Sequence, residues 1–217
     1  VKYAKTYKVY LVIATDGRYG ARFHYKPGDE LAVIRQKESA CGCKNLGIEP
    51  PVFLGFHDGM GMATSVPEFF KQTAQLTEKL KQKIEELNPD VIITFGPDGD
   101  TGHSDHRHIG AITTEIILRE GWVKKYPLYY VSWLQKDSDK LKAAIGQGLN
   151  TVHSNYFNVQ VKFSEEEENK ELAALDCYTS QLTAEEINQW KEMEKKDLTN
   201  TLHFRRLAVR NKKKSDL

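Results

Sequence analysis

Apolar positions along this chain alternate between short runs and helical stripes. Val9-Tyr-Leu-Val-Ile-Ala14 is a continuous apolar run of the kind found in strands covered on both faces, and Thr15-Asp-Gly-Arg-Tyr-Gly20 turns the chain behind it. After a polar loop over 21–28, a 3.6-residue pattern passes from Asp29 through Leu31, Ile34, Ala40 and Cys41 to Gly47, which suits the left-handed position after a helix. Pro51 to Phe56 reads as a second strand leading into His57-Asp58-Gly59. A long amphipathic pattern then starts near Pro67 and keeps Phe70, Leu76, Leu80, Ile84 and Leu87 on one side until Asn88-Pro89 stops it. Val91 to Phe95 is a third strand, ending at Gly96-Pro97, and a helical pattern follows from Asp105 through Ile109, Ile112 and Ile116 to Gly121. Val1 to Tyr7 reads as the last turn of a helix.

This rhythm predicts an α/β fold: a mostly parallel sheet with right-handed crossovers and helices on both faces. The second half is less regular. Leu128 to Trp133, Asn158 to Phe163 and Leu202 to Val209 read as strands, the last of mixed character, and Glu165 to Tyr178 and Ala184 to Lys195 as helices. The irregular stretch from about 122 to 163 is where a lid or the contact of a homo-oligomer is expected. At 217 residues and 40% hydrophobic content, with no repeat and no low-complexity linker, one domain over 1–217 is expected.

Charge narrows the partners. A net charge of +1 gives no overall field to recruit nucleic acid or an anionic membrane. The basic pairs at Arg205-Arg206 and Lys212-Lys213-Lys214 are local, the latter read as a solvated tail. No run approaches the ~18 apolar residues of a membrane span. No Gly-x-Gly-x-x-Gly follows the first strand, which argues against a dinucleotide site. The 3 cysteines, Cys41, Cys43 and Cys177, are odd in number and the first two sit too close for an ordinary bridge within a helix, so reduced thiols and a cytoplasmic location are expected. Cys41-Gly-Cys43 lacks the spacer and second pair of a structural zinc site. The chain opens on Val, not Met, so export is not excluded.

The chemistry concentrates after the third strand, in Gly96-Pro-Asp-Gly-Asp-Thr-Gly-His103-Ser-Asp105-His106-Arg-His108. Open α/β sheets present ligands at the carboxyl ends of their strands. His103 and His106, three apart at the start of a helix, share roughly one face, so that one ring can bind a metal while the other meets the oxygen the metal activates. Asp105 serves as a supporting carboxylate or N-cap, and the alternative is a capping box with incidental histidines. His108 is expected to face solvent. Arg35 and Glu38 read equally as an i,i+3 ion pair, Asp58 and Asp16 as turn residues. His24 and His57 have no committing spacing, and Met60 and Met62 suit a pocket wall.

The blocks Ala14-Thr-Asp-Gly-Arg-Tyr-Gly20, Ile34-Arg-Gln-Lys-Glu38, Leu54-Gly-Phe-His-Asp-Gly59, Asn88-Pro-Asp-Val-Ile-Ile93, Gly102-His-Ser-Asp-His106 and Ala174-Leu-Asp-Cys-Tyr-Thr-Ser-Gln181 resemble, in order, those of the LmbE-like or PIG-L zinc-dependent N-deacetylases. The resemblance implies a Rossmann-like fold and removal of acetyl groups from N-acetylglucosamine-type sugars or glycoconjugates. It implies His106 as a Zn²⁺ ligand, His103 as stabiliser of the tetrahedral intermediate or general acid, and Asp105 as the residue orienting it. Arg35 and Asp58 fall where the family contacts sugar hydroxyls or an anionic substituent. Thr101 stands where some relatives carry a Tyr, and Tyr178 where a His is frequent.

One block has no counterpart here. The family's His-Pro-Asp-Asp-Glu run, which supplies two zinc ligands and the catalytic base after a first strand, does not occur in this chain. The expectation is a domain without its first βα unit, with the other zinc ligands in that segment. Two readings stay open: part of an intact enzyme, or a non-catalytic carbohydrate-binding relative that has lost the metal site.

Overall fold

The computed structural model describes residues 1–59, 65–146, 148–195 and 200–209. Met60, Met62 and the Lys212 to Lys214 tail lie outside them. After a 3₁₀ turn at Tyr3–Lys5 come β1 (Val12–Thr15), α1 (Asp29–Leu46), β2 (Val52–Phe56), α2 (Val66–Leu87), β3 (Ile92–Thr94), α3 (Ser104–Arg119) and β4 (Leu128–Ser132). Then follow α4 (Gln135–Ile145), β5 (Val159–Lys162), α5 (Glu165–Leu175), α6 (Ala184–Glu194) and β6 (Thr201–Arg206).

Local chemistry explains the boundaries. Ser65 caps α2 by accepting from the Glu68 N–H, and α2 ends on Asn88 in the left-handed conformation at φ 42°. Gly47, at φ 69°, closes α1 the same way. Ser164 with Glu167 and Thr183 with Glu186 form reciprocal capping boxes on α5 and α6.

The strands form two ladders. β1 pairs parallel with β2, while the second sheet has the order β3-β4-β6-β5, with β3 and β4 parallel and β6 antiparallel to both its neighbours. The α/β class and parallel crossovers of the first half therefore stand, and the second half adds β6 running antiparallel between β4 and β5. The main core joins Leu54 and Phe56 of β2, Leu76, Leu80 and Ile84 of α2, Ile112, Ile116 and Ile117 of α3, Tyr126, and Leu128 of β4; Val12, Ala14 and Ile92 pack against it. None of the buried residues of α1 belongs to this core, and α1 packs instead on α5. So α1 and α2 lie on opposite faces. Right-handed crossovers on opposite faces run in opposite directions along a sheet, which is consistent with a topological switch point between the two ladders, where β1 and β3 do not pair with each other. Among the described residues no helix is long and apolar enough to cross a membrane.

Two expectations are corrected. Cys41 and Cys177 are disulfide-bonded, 136 residues apart in sequence, and Cys43 alone is free and buried. Chain folding, not local spacing, brings the α5 end onto α1, where Tyr178 packs so closely on Gly42 that a Cβ there would meet its hydroxyl. The irregular stretch also contains α4, whose polar sequence hides a helix that packs on α6.

Candidate functional site

The loop after β3 ends in His103, the N-cap residue of α3. Its Nδ1 accepts the Asp105 backbone N–H at 3.2 Å. An accepting Nδ1 assigns the proton of the neutral ring to Nε2. His106 is the reverse. Its Nδ1 faces the Gly99 carbonyl at 3.2 Å, and a carbonyl only accepts, so the proton sits on Nδ1 and the Nε2 lone pair is left available. Burial pushes the His106 pKa down, which favours that neutral form, and its ring stacks face to face on Phe95 with centroids 3.9 Å apart. The two imidazoles, centroids 5.4 Å apart, thus present one N–H donor and one electron pair.

Asp105 is buried, and its Oδ2 accepts the Gly59 N–H at 2.8 Å, tying the loop after β2 to α3. It meets His103 through its backbone N–H. Gly110 lets α3 sit against the end of β3, since a Cβ there would strike the Phe95 carbonyl.

Arg35 and Asp58 converge on the loop after β1. Arg35 Nη2 donates to the Gly20 carbonyl at 2.5 Å, and the Asp58 carboxylate accepts the Tyr19 N–H at 3.0 and 3.1 Å. Arg35 is only 9% exposed, its Nε has no hydrogen-bond partner, and burial lowers its pKa. A buried guanidinium N–H without an acceptor suits a ligand hydroxyl or anion. Glu38 does not serve as the ion-pair partner of Arg35: it accepts the Ser180 N–H at 2.6 Å and the Ser180 hydroxyl at 2.7 Å, clamping the turn after α5. Asp16 is likewise committed locally, to the Arg18 guanidinium at 2.7 Å. His108 is half-buried against α2, contacting the Thr73 hydroxyl at 3.1 Å and the Phe69 ring, contrary to the solvent-facing expectation; its place three after Asp105 and four before Ile112, both buried, turns it toward the neighbouring helix.

Sequence reasoning missed the braces of the histidine loop. Arg205 on β6 bonds the Asp98 carboxylate and donates to the Ser132 hydroxyl at 2.9 Å. The Trp133 indole N–H donates to Asp100, and Asn150 Nδ2 donates to the Asp98 carbonyl at 2.7 Å. The only signal in the sequence was the pair of acids in a glycine-rich turn; their partners lie 33 to 107 residues away.

Among the described residues no group of three His, Cys, Asp or Glu side chains is placed to hold a metal ion. A catalytic zinc needs three protein ligands. The described set offers His106 alone and does not fit the ion without further donors.

A family model described as "PIG-L: GlcNAc-PI de-N-acetylase" matches residues 2–117, more than half of the chain. The 1D-myo-inositol 2-acetamido-2-deoxy-alpha-D-glucopyranoside deacetylase of Mycolicibacterium vanbaalenii is 30% identical over 157 residues, covering 65% of this chain and 54% of that protein. The chain spans about half the length of the curated relatives it matches. In structure it is similar to N,N'-diacetylchitobiose deacetylase from Pyrococcus horikoshii, with a TM-score of 0.63 at 20% identity, covering 95% of this chain and 75% of that one. A structure described as the zinc inhibited form of teicoplanin deacetylase Orf2 gives 0.65 at 15% identity, covering 95% and 91%. These structural likenesses establish the fold.

Proposed function

The chain belongs to the PIG-L family, and from that membership we propose that its protein is a hydrolase that removes the acetyl group of an N-acetylated amino sugar, with zinc as the cofactor of the complete centre. The observation that carries this reading is the pair of hydrogen bonds, Asp105 N–H to His103 Nδ1 and His106 Nδ1 to the Gly99 carbonyl, that assigns the two rings opposed tautomers. His106 Nε2 would be one ligand, with further donors needed beyond the described residues, and a bound ion would supply the Lewis acid that amide hydrolysis requires.

The chain's own residues do the rest. His103 Nε2–H is the donor for the oxygen that becomes negative when the amide carbon turns tetrahedral. Its ring is held by the Asp105 N–H, and Asp105 in turn fixes the distance between α3 and the loop of Asp58. The unpartnered Nε of Arg35 and the Asp58 carboxylate orient the sugar's hydroxyls.

The test is a deacetylation assay with metal analysis on the intact protein. His103→Ala should lower kcat by about 10²–10³-fold, the cost of one oxyanion donor, with metal content unchanged. His106→Ala should lose metal. Intact, folded protein that binds sugar but neither binds metal nor turns over would overturn this reading in favour of a carbohydrate-binding relative.

The Cys41–Cys177 bridge removes the argument for a reducing compartment. Disulfides persist mainly in oxidising surroundings.

A further inference from the structure

A groove of about 510 Å³ runs between α2 and β2, lined among others by Phe56, His57, Glu68, Gln72, Gln75 and Lys79. Its size falls in the range of small-ligand sites. The α2 wall is a stripe at helical spacing that flanks the face sending Leu76, Leu80 and Ile84 into the core. At one end His57 stands edge-on to Tyr19, with ring centroids 6.1 Å apart, and the next residue, Asp58, grips the Tyr19 N–H. The groove therefore opens at the rim of the candidate site. We propose that it is an extended saccharide subsite, taking the second and later rings of a neutral oligosaccharide whose N-acetylated ring lies at Arg35 and Asp58. This rests on the reading above and narrows its substrate class.

The chemistry of the walls selects the ligand. The Gln72 and Gln75 carboxamides each offer a donor and an acceptor, as sugar hydroxyls require. The i,i+4 bond from Gln72 Nε2 to Glu68 Oε1, 3.0 Å, sets that side chain in place. Glu68 and Glu78 against Lys79 leave the lining slightly negative, which disfavours phosphate or nucleic acid. An added β-strand is disfavoured as well: Lys79 Nζ donates to the Leu54 carbonyl at 3.2 Å, and Gly55, at φ 80°, breaks the extended edge.

The experiment titrates the ¹⁵N-labelled chain with N-acetylglucosamine, N,N′-diacetylchitobiose and N,N′,N″-triacetylchitotriose. Affinity should rise about ten-fold from the first to the last, the gain of one or two added hydrogen-bonded contacts. Amide shifts at Gln72, Gln75 and Lys79 should follow only the longer ligands. Gln72→Ala with Gln75→Ala, which keeps a good helix former at both sites, should abolish the length dependence and leave monosaccharide binding unchanged. Monosaccharide binding with no length dependence, or a length dependence that survives in the double variant, overturns the groove alone. No binding of any of the three overturns the groove together with the reading beneath it.

Discussion

Reducing the Cys41–Cys177 bridge is the perturbation whose size follows most directly from the structure. The bridge closes a loop across a sequence separation of 136 residues. The loop-entropy relation puts the restriction of the unfolded chain at about 5 kcal/mol, an upper figure where the unfolded state keeps structure. For a domain of this length each kcal/mol moves the midpoint by about 2–4 °C, so the thermal transition should drop by on the order of 10–20 °C. Circular dichroism melts with and without a phosphine reductant measure it, with Cys41→Ser/Cys177→Ser as the chemical control and Cys43→Ser as the thiol outside the bridge. Reductant should act on the wild type and the Cys43 variant and leave the double variant unchanged. Coincident melts of oxidised and reduced wild type would refute the pairing. The bridge is not alone: Glu38 holds Ser180, which is 0% exposed, and Asn45 Nδ2 donates to the Ala173 carbonyl at 3.0 Å, so the turn after α5 should stay docked on α1 until the global transition.

Glu38→Ala leaves the Ser180 N–H buried without an acceptor and should cost about 2–4 kcal/mol, read from urea midpoints; an unchanged midpoint would show that the clamp is dispensable. Arg205→Ala leaves the partly buried Asp98 charge without its ion-pair partner and should cost about 1–3 kcal/mol, which Asp98→Asn in the same chain should partly restore. His108 has its pKa lowered from 6.5 by burial, so the native state resists its protonation and stability should fall as pH drops through and below about 6.5; His108→Gln should flatten that part of the pH–stability curve, and an identical slope in both proteins would remove His108 as its source. The chain of residues 1–217 should take up less than one equivalent of zinc at micromolar concentration, because among the described residues no group of three donors accompanies the proposed ligand His106; tight stoichiometric binding would show that a full ligand set is already present.

The crossover units were legible because their signals are local. Gly47 and Asn88 end α1 and α2 where the pattern stops, and the apolar stripe of α2 is the face found in the core. The placement of His103 and His106 at the start of α3 was legible from spacing, since a strand end followed by a helix start fixes where they lie. What escaped depends on residues distant in sequence. The α4 segment Gln135–Ile145 carries few apolar positions and is held by its contact with α6. Glu38 read as a solvated helix residue because Ser180 lies 142 positions away. The tautomers of the two histidines depend on a backbone carbonyl and a backbone N–H that no side-chain pattern encodes.

The interrupted sheet gives the site its remaining demand. A continuous apolar run encodes cover on both faces, yet Val91 is 49% exposed and Ile93 54% exposed at β3. Among the described residues β3 pairs only with β4, and β1 only with β2, so each keeps a free edge at the switch point. The loop of Tyr19 and Gly20 leaves one side of that boundary, and the loop of His103 and His106 leaves the other. A parallel strand received there would bury the exposed β3 side chains and satisfy both edges. Its carboxyl end would emerge between the two loops, within the space that donors joining His106 must occupy. On the proposed zinc reading, a strand that completed the sheet would also bring its donors to His106, and the hydrophobic gain of the first would stabilise the geometry of the second.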